Sequence, residues 1–248
     1  MKREARGGRL YEHVKAKIAE LIGSNRYPVG ERLPSERNLA QMFEVSRPTV
    51  REAIIALELD GQVEVRNGYG VVVTATRPAG GKASAMDVGP FELLEARRAI
   101  EGEVCALAAK NGTNEHFHRL DELLHEIRTA ENFETAEEAD RKFHVEIARA
   151  TRNSAMVDIV EQLWEARARS PQYRLLSAKA HAAGLGPRVP EHKPIITALR
   201  ARDAEGARSA MRDHLNSVLR TLLEATEVHE IEEAQARIIA TRRRFAEV

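Results

Sequence analysis

Apolar positions in the first sixty residues recur at helical spacing, and each run is bounded by residues suited to end a helix. Leu10, Val14, Ile18, Leu21 and Ile22 predict a first helix, broken by Tyr27, Pro28, Val29 and Gly30. Ser35 suits the N-cap of a short second helix in which Leu39, Met42 and Phe43 share helical spacing. Glu44, Val45 and Ser46 form a turn, and Ser46 is a second N-cap. Pro48 falls in the following first turn, where its missing N–H costs little. Val50, Ala53, Ile54 and Leu57 then make one apolar stripe that Asp60 and Gly61 close. Beyond it the period shortens to two. Val63 and Val65, the turn residues Asn67, Gly68, Tyr69 and Gly70, and Val71 to Val73 read as strand, turn, strand. Helix, turn, helix and hairpin in this order predict a winged helix-turn-helix over residues 1–76.

Residues 77–89 are poor in apolar bulk and rich in Gly, Ala and Pro, which predicts a linker. Residues 90–227 show helical periodicity and no convincing alternation. Breaks fall near Asn111 and Gly112, at 132–135, at 151–154 and at 183–190, giving an all-α bundle of six or seven helices. The fold class is therefore mainly α, a winged helix-turn-helix followed by a helical bundle. Residues 228–248 form a charged tail, read as helical, with Arg242, Arg243 and Arg244 near its end.

Bulk properties narrow the partners. The 248 residues suffice for two domains, and the formal net charge is zero. Residues 1–77 carry 13 Lys and Arg against 10 Asp and Glu, so any grip on a polyanion comes from a local patch. The single cysteine, Cys105, lies in an apolar helical run and cannot form an internal disulfide. No apolar run is long enough to span a bilayer and no leader precedes the first helix, so a cytoplasmic protein without a membrane partner is expected.

Two sets of residues carry chemistry. Arg47, Thr49 and Arg51 open the second helix of the turn motif on its polar side, as major-groove contacts to base edges and phosphates require. The glycine-rich hairpin tip would let backbone approach DNA closely. In the bundle, His144 follows Asp140 by one helical turn, and His192 and His214 each fall among apolar stripe positions. One inward histidine is ordinarily a hydrogen-bonded core residue. Three, with a carboxylate, are costly to bury unless they satisfy one another or hold a cation, and spacing leaves both readings open. Arg97 lies at the edge of its helix's apolar stripe, with Glu101 four residues on, so the pair faces either solvent or the interior.

These motifs resemble a known family. Leu33, Pro34, Ser35, Glu36 and Arg37, then Ser46, Arg47, Pro48, Thr49, Val50, Arg51, Glu52 and Ala53, are similar to the hallmark of the GntR family of bacterial transcription regulators. The helical half resembles the effector domain of the FadR-like branch in its metal-binding version. The resemblance implies DNA contacts at Arg37, Ser46, Arg47, Thr49, Arg51 and Gly68, and metal ligands at Asp140, His144, His192 and His214. It implies a divalent Zn, Ni, Mn or Fe ion, with zinc the ion to expect, and an effector carboxylate met by Arg97 and, in the same pocket, Asn153. Residues 89–97, 143–154 and the Trp164 helix followed by Ser170 and Pro171 are similar to regulators of hexuronate utilisation.

The expected function is a homodimeric repressor of a hexuronate catabolic operon, binding double-stranded operator DNA and releasing it when a sugar acid occupies the metal site. Regulators sensing another small hydroxy- or dicarboxylate are the alternative. A metalloenzyme fused to a DNA-binding head is a distant one, since no separate general base or nucleophile accompanies the motif. The chain is not expected to be an enzyme.

Overall fold

The first unit is built from three helices and a hairpin, α1 (Leu10–Gly23), α2 (Glu36–Phe43), α3 (Arg47–Leu59), β1 (Val63–Arg66) and β2 (Gly70–Val73). The computed structural model describes residues 10–66, 69–78, 88–182 and 189–224. Gly68, residues 79–87 of the linker and the tail at 228–248 lie outside the described residues. Ser35 Oγ accepts from Asn38 N at 3.3 Å and Ser46 Oγ accepts from Thr49 N at 3.2 Å, so both expected caps fix helix starts. Between them Glu44 takes a left-handed conformation, φ +57°, which reverses the chain between α2 and α3.

Val14, Ile18, Leu39, Val50, Ile54 and Leu57 fill the core, capped by Val63 and Val73 from the hairpin. Two stripe residues fall elsewhere than the spacing suggested. Leu10 is exposed and Tyr11 is buried in its stead. At about 100° per residue, Tyr11 points roughly 20° from the mean direction of Val14, Ile18 and Ile22, whereas Leu10 points roughly 80° away. Met42 is also exposed, leaving Leu39 and Ala40 as the buried residues of α2.

β1 and β2 pair antiparallel with Val63 opposite Val73 and Arg66 opposite Gly70, and Arg32 adds an isolated bridge to Val72. Gly70 has φ +114°, and a Cβ there would meet Arg32 Nε at 2.5 Å. The positive φ is what calls for glycine at this end of the hairpin, next to its turn, since the Arg32 side chain could swing aside.

The second unit begins beyond Met86. Its described residues form seven helices: α4 (Pro90–Asn111), α5 (Asn114–Thr129), α6 (Phe133–Ala150), α7 (Ser154–Arg169), α8 (Pro171–Ala182), α9 (Val189–Arg200) and α10 (Ala204–Glu224). Thr113 caps α5, a reciprocal Asn132–Thr135 box caps α6, and Asn153 caps α7. Two breaks had gone unread as helix ends. Pro171 cannot continue α7, and Ser170 instead caps α8 by accepting from Tyr173 N at 3.2 Å. Arg202, at φ +57°, turns α9 into α10, whose start Asp203 caps through Gly206 N at 2.9 Å.

α10 lies along α4, and α6 is flanked by α4, α5 and α7. Phe143, Leu120, Leu123, Ile147 and Ile195 make the bundle's fully buried centre. Polar side chains of α4, α6, α9 and α10 share that interior, and the site is made from them.

Candidate functional site

On the DNA-binding head, the residues expected to touch DNA divide by exposure. Arg37, Ser46 and Arg47 are exposed and Thr49 is half-buried; Ser46 Oγ and Thr49 Oγ1 also lie 2.7 Å apart. Arg51 differs. It is 4% exposed, and its Nε donates to both oxygens of Glu36 at 2.8 and 3.0 Å. Glu36 opens α2 and Arg51 lies in the first turns of α3, so this ion pair fastens one helix of the turn motif to the other. The exposed guanidinium at this end of α3 is that of Arg47, whose side chain is 57% exposed and 4.0 Å from the same carboxylate. Sequence spacing placed Arg51 on the polar side of α3 and gave no sign of its partner in α2.

In the bundle, the four residues singled out by spacing and resemblance converge. Asp140 and His144 stand one turn apart on α6, His192 comes from the first turns of α9, and His214 from the middle of α10. All four are buried, and one ligand atom from each lies within 4.8 Å of the others. His192 Nε2 is 2.8 Å from Asp140 Oδ1, and His144 Nε2 is 3.8 Å from the same oxygen. Burial opposes charge on Asp140, but the hydrogen bond from His192 and the charges of the histidines more than reverse it. The carboxyl is therefore held well below the usual carboxylate range. Burial, followed by the neighbouring His192 and His144, brings the His214 imidazole down to about 4. The pocket thus keeps an ionised acid beside a neutral imidazole, the protonation states a metal ligand set needs.

The fit to a cation has a further sign. His144 Nε2 and His214 Nδ1 are buried without a hydrogen-bond partner, a cost that a bound ion at His144 would remove. One carboxylate and three imidazoles suit a divalent first-row ion. Glu101, from α4, completes the surroundings. One of its oxygens hydrogen-bonds His144 Nδ1 and the other accepts from Arg97 Nε at 2.6 Å. Burial would raise its pKa, but Arg97 and His144 reverse this and hold it at about 2. A carboxylate behind a histidine fixes the ring and leaves the other nitrogen for a metal. The i to i+4 pairing of Arg97 with Glu101 was legible in the sequence; the second bond to His144, 43 residues away, was not.

Arg97 is 2% exposed, 4.1 Å from the Trp164 ring centroid, and lines a cavity of about 50 Å³ together with Asp140 and His214. Glu137, Arg167 and Ser177, which the sequence reading did not single out, line the same cavity. Asn153 is a correction. It is exposed, its Oδ1 accepts from Ala155 N at 3.0 Å as the α7 cap, and it is absent from the cavity wall. An Asn in the turn before a helix has its side chain drawn to the free backbone amides, away from the bundle interior.

A winged helix-turn-helix followed by a helical domain with a buried polar cavity defines a class: DNA-binding transcription regulators with a second, helical domain. Residues 10–73 match the model of bacterial regulatory proteins of the gntR family, and residues 92–217 match that of the FCD domain. The chain belongs to the GntR family. It is 37% identical over 241 residues to the Uxu operon transcriptional regulator of Escherichia coli strain K12, covering 93% of each chain. It is 36% identical over 214 residues to the Exu regulon transcriptional regulator of the same strain, covering 84% of this chain and 83% of that one. Among solved structures, Streptococcus agalactiae GntR is 25% identical with a TM-score of 0.42, covering 85% of this chain and 99% of that chain. The chain is thus a transcription regulator and not an enzyme, with a DNA-binding head and an FCD domain.

Proposed function

We propose that this regulator represses a hexuronate catabolic operon as a homodimer in the cytoplasm, and that a hexuronate sensed in the bundle releases it from operator DNA. The kinship to the Uxu and Exu regulators, added to the hexuronate-regulator motifs around Arg97, His144 and Trp164, supports the effector class. The observation that carries the sensing step is the buried tetrad Asp140, His144, His192 and His214, of which Asp140 and His214 line the same cavity as Arg97.

A divalent ion held by those four residues would supply a Lewis-acid anchor for a carboxylate oxygen. Arg97 is oriented by Glu101 and stacked on Trp164, so its planar fork is preset to take a carboxylate with little entropy cost. Arg37, Arg47 and Thr49, with Ser46 and Gly68, supply the DNA contacts, and a two-fold dimer matches a palindromic operator. Occupancy of the cavity then biases the bundle toward an arrangement in which the paired heads no longer suit that spacing. A coupling of about 1–3 kcal/mol between sites changes operator affinity roughly 5- to 150-fold.

The test uses metal-loaded protein and DNA selected by the protein from a random pool. Galacturonate, glucuronate or fructuronate is added while DNA binding is followed by fluorescence anisotropy. A saturable loss of affinity with one of them is the expected result; unchanged affinity at saturating concentrations of all three ends the proposal.

A further inference from the structure

The cavity has a second polar cluster besides the tetrad. Glu137 lies three residues before Asp140 on α6, so both carboxylates face the same way. Glu137 Oε1 receives two donors, Arg167 Nη2 and Ser177 Oγ, the latter at 3.0 Å. Glu137 Oε2 takes part in neither bond and belongs to a side chain 29% exposed, whereas Arg167 Nε is buried without a partner. Arg167 is 8% exposed and stacks at 4.5 Å on both Trp164 and Tyr173. Trp164 therefore carries Arg97 and Arg167 on one indole, with the tetrad next to the first and Glu137 next to the second. Arg167 Nε is thus a buried donor left unpaired, while Glu137 keeps an oxygen that can accept from a ligand as it does from water. A ligand that supplies both a donor and an acceptor would satisfy them.

The two guanidiniums differ in what surrounds them. Near Arg97 the tetrad would hold a cation, so that end attracts an anion. At Arg167 the exposed partner is a carboxylate oxygen, which accepts from a hydroxyl and repels another carboxylate. A hydroxyl can donate to Glu137 Oε2 and accept from Arg167 Nε at once; a carboxylate can only accept.

We propose that Glu137 and Arg167, braced by Ser177, form a hydroxyl-reading subsite that restricts the effector to monocarboxylates with a hydroxylated chain and excludes dicarboxylates of equal length. This deepens the effector reading above and rests on it. Sites built around buried hydrogen-bonding groups reject ligands that leave them unpaired far more strongly than apolar pockets reject a change of size.

The experiment is calorimetric titration of metal-loaded, full-length protein with three probes. They are the best binding of galacturonate, glucuronate and fructuronate, the six-carbon aldarate galactarate, and glycolate, which has the carboxylate end alone. The hexuronate is expected to bind at least ten-fold tighter than the aldarate. Glu137→Gln keeps the shape and the Ser177 bond but removes the charge, and is expected to shrink that ratio at least five-fold. Arg167→Gln is expected to weaken the hexuronate while leaving glycolate unchanged. Melting temperature and metal stoichiometry check that each variant is folded. Equal binding of hexuronate and aldarate by the unmodified protein overturns the proposal, as does a ratio unmoved by Glu137→Gln. If all three probes bind alike, only the subsite fails; if none binds, the effector reading fails and takes the subsite with it.

Discussion

Arg97 Nε donates to Glu101 Oε1 at 2.6 Å, one turn along the same helix, with neither side chain more than 3% exposed. Because the other oxygen of Glu101 is bonded to His144, one carboxylate orients both the proposed anion clamp and a proposed metal-ligand imidazole. Glu101→Gln would leave a buried guanidinium without its counter-charge and let the His144 ring turn. The expected loss is about 3–5 kcal/mol of stability, as for broken buried pairs, with metal affinity lower by about 10- to 100-fold. Thermal melts and metal titration of the variant measure both. Glutamine tolerated without either change would mean that the pair is a passive packing unit.

Acid should weaken the metal-free bundle in two adjoining steps. His214 has its pKa lowered from 6.5 to about 4 by burial and by the neighbouring histidines, so the unfolded chain binds a proton there that the native one refuses. Stability therefore falls as pH drops from 6.5 to 4, by about 3 kcal/mol for this group, and its contribution levels off below. Glu101, lowered from 4.5 to about 2, contributes fully above pH 4.5 and loses that contribution as pH falls through 2. Bound metal adds a loss of the same sign, since protons compete for its ligands. Denaturant melts of chelated protein between pH 7 and 5 test the first step. A flat profile there would show His214 to be protonated as readily folded as unfolded.

On the head, Arg47 and Arg51 should behave differently although they stand four residues apart on α3. Arg47→Ala removes an exposed cation and is expected to weaken DNA binding by about 1–3 kcal/mol with the melting temperature unchanged. Arg51→Ala breaks the buried pair with Glu36, so stability and DNA affinity should fall together. Glu36→Gln separates the roles, because it disturbs α2 against α3 while leaving both arginines present. If Glu36→Gln melts like the unmodified protein and binds DNA as well, Arg51 acts on DNA directly and the ion pair is incidental.

The elements were largely legible because local rules agree with the fold. Ser35, Ser46, Pro48 and the Asn132 region act where caps and breakers should, and the stripe of α3 is buried as its spacing requires. The convergence of the tetrad was legible in part for another reason: three histidines on apolar stripes break the pattern, and the family resemblance supplied the metal reading that spacing had left open. What stayed hidden was pairing across long separations. Glu36 with Arg51, Glu101 with His144 and Glu137 with Arg167 each join different helices, and no periodicity along a single helix encodes them. Tyr11 was missed because a two-position choice at a stripe's edge turns on tens of degrees.

Asn153 illustrates how a polar residue beside a binding motif can be spent on backbone. Its side chain satisfies Ala155 N, so Asn153→Ala should cost about 1 kcal/mol of stability through the lost cap and leave effector affinity as it was. Calorimetric titration with the bound hexuronate checks the second half. A several-fold loss of affinity at unchanged stability would return Asn153 to the pocket.

Trp164 is the chain's sole tryptophan, and it stands against both buried arginines of the bundle site and one tetrad histidine. Arg97 lies 4.1 Å from its ring centroid, Arg167 4.5 Å and the His144 ring 5.2 Å. Its Nε1–H is buried without an acceptor, and the two guanidiniums against its ring both line the cavity, so a ligand that engages either one changes the indole's surroundings. Intrinsic emission should therefore shift in intensity or wavelength as a hexuronate saturates metal-loaded protein. His214→Ala, which removes a proposed ligand from the tetrad, should lose the shift. Trp164→Phe keeps an apolar ring but weakens the cation–π contacts to both guanidiniums, and should lower effector affinity with DNA binding preserved. Calorimetrically verified effector binding without any change in Trp164 emission would separate the effector from Arg97 and Arg167, and place the sensing site elsewhere in the bundle.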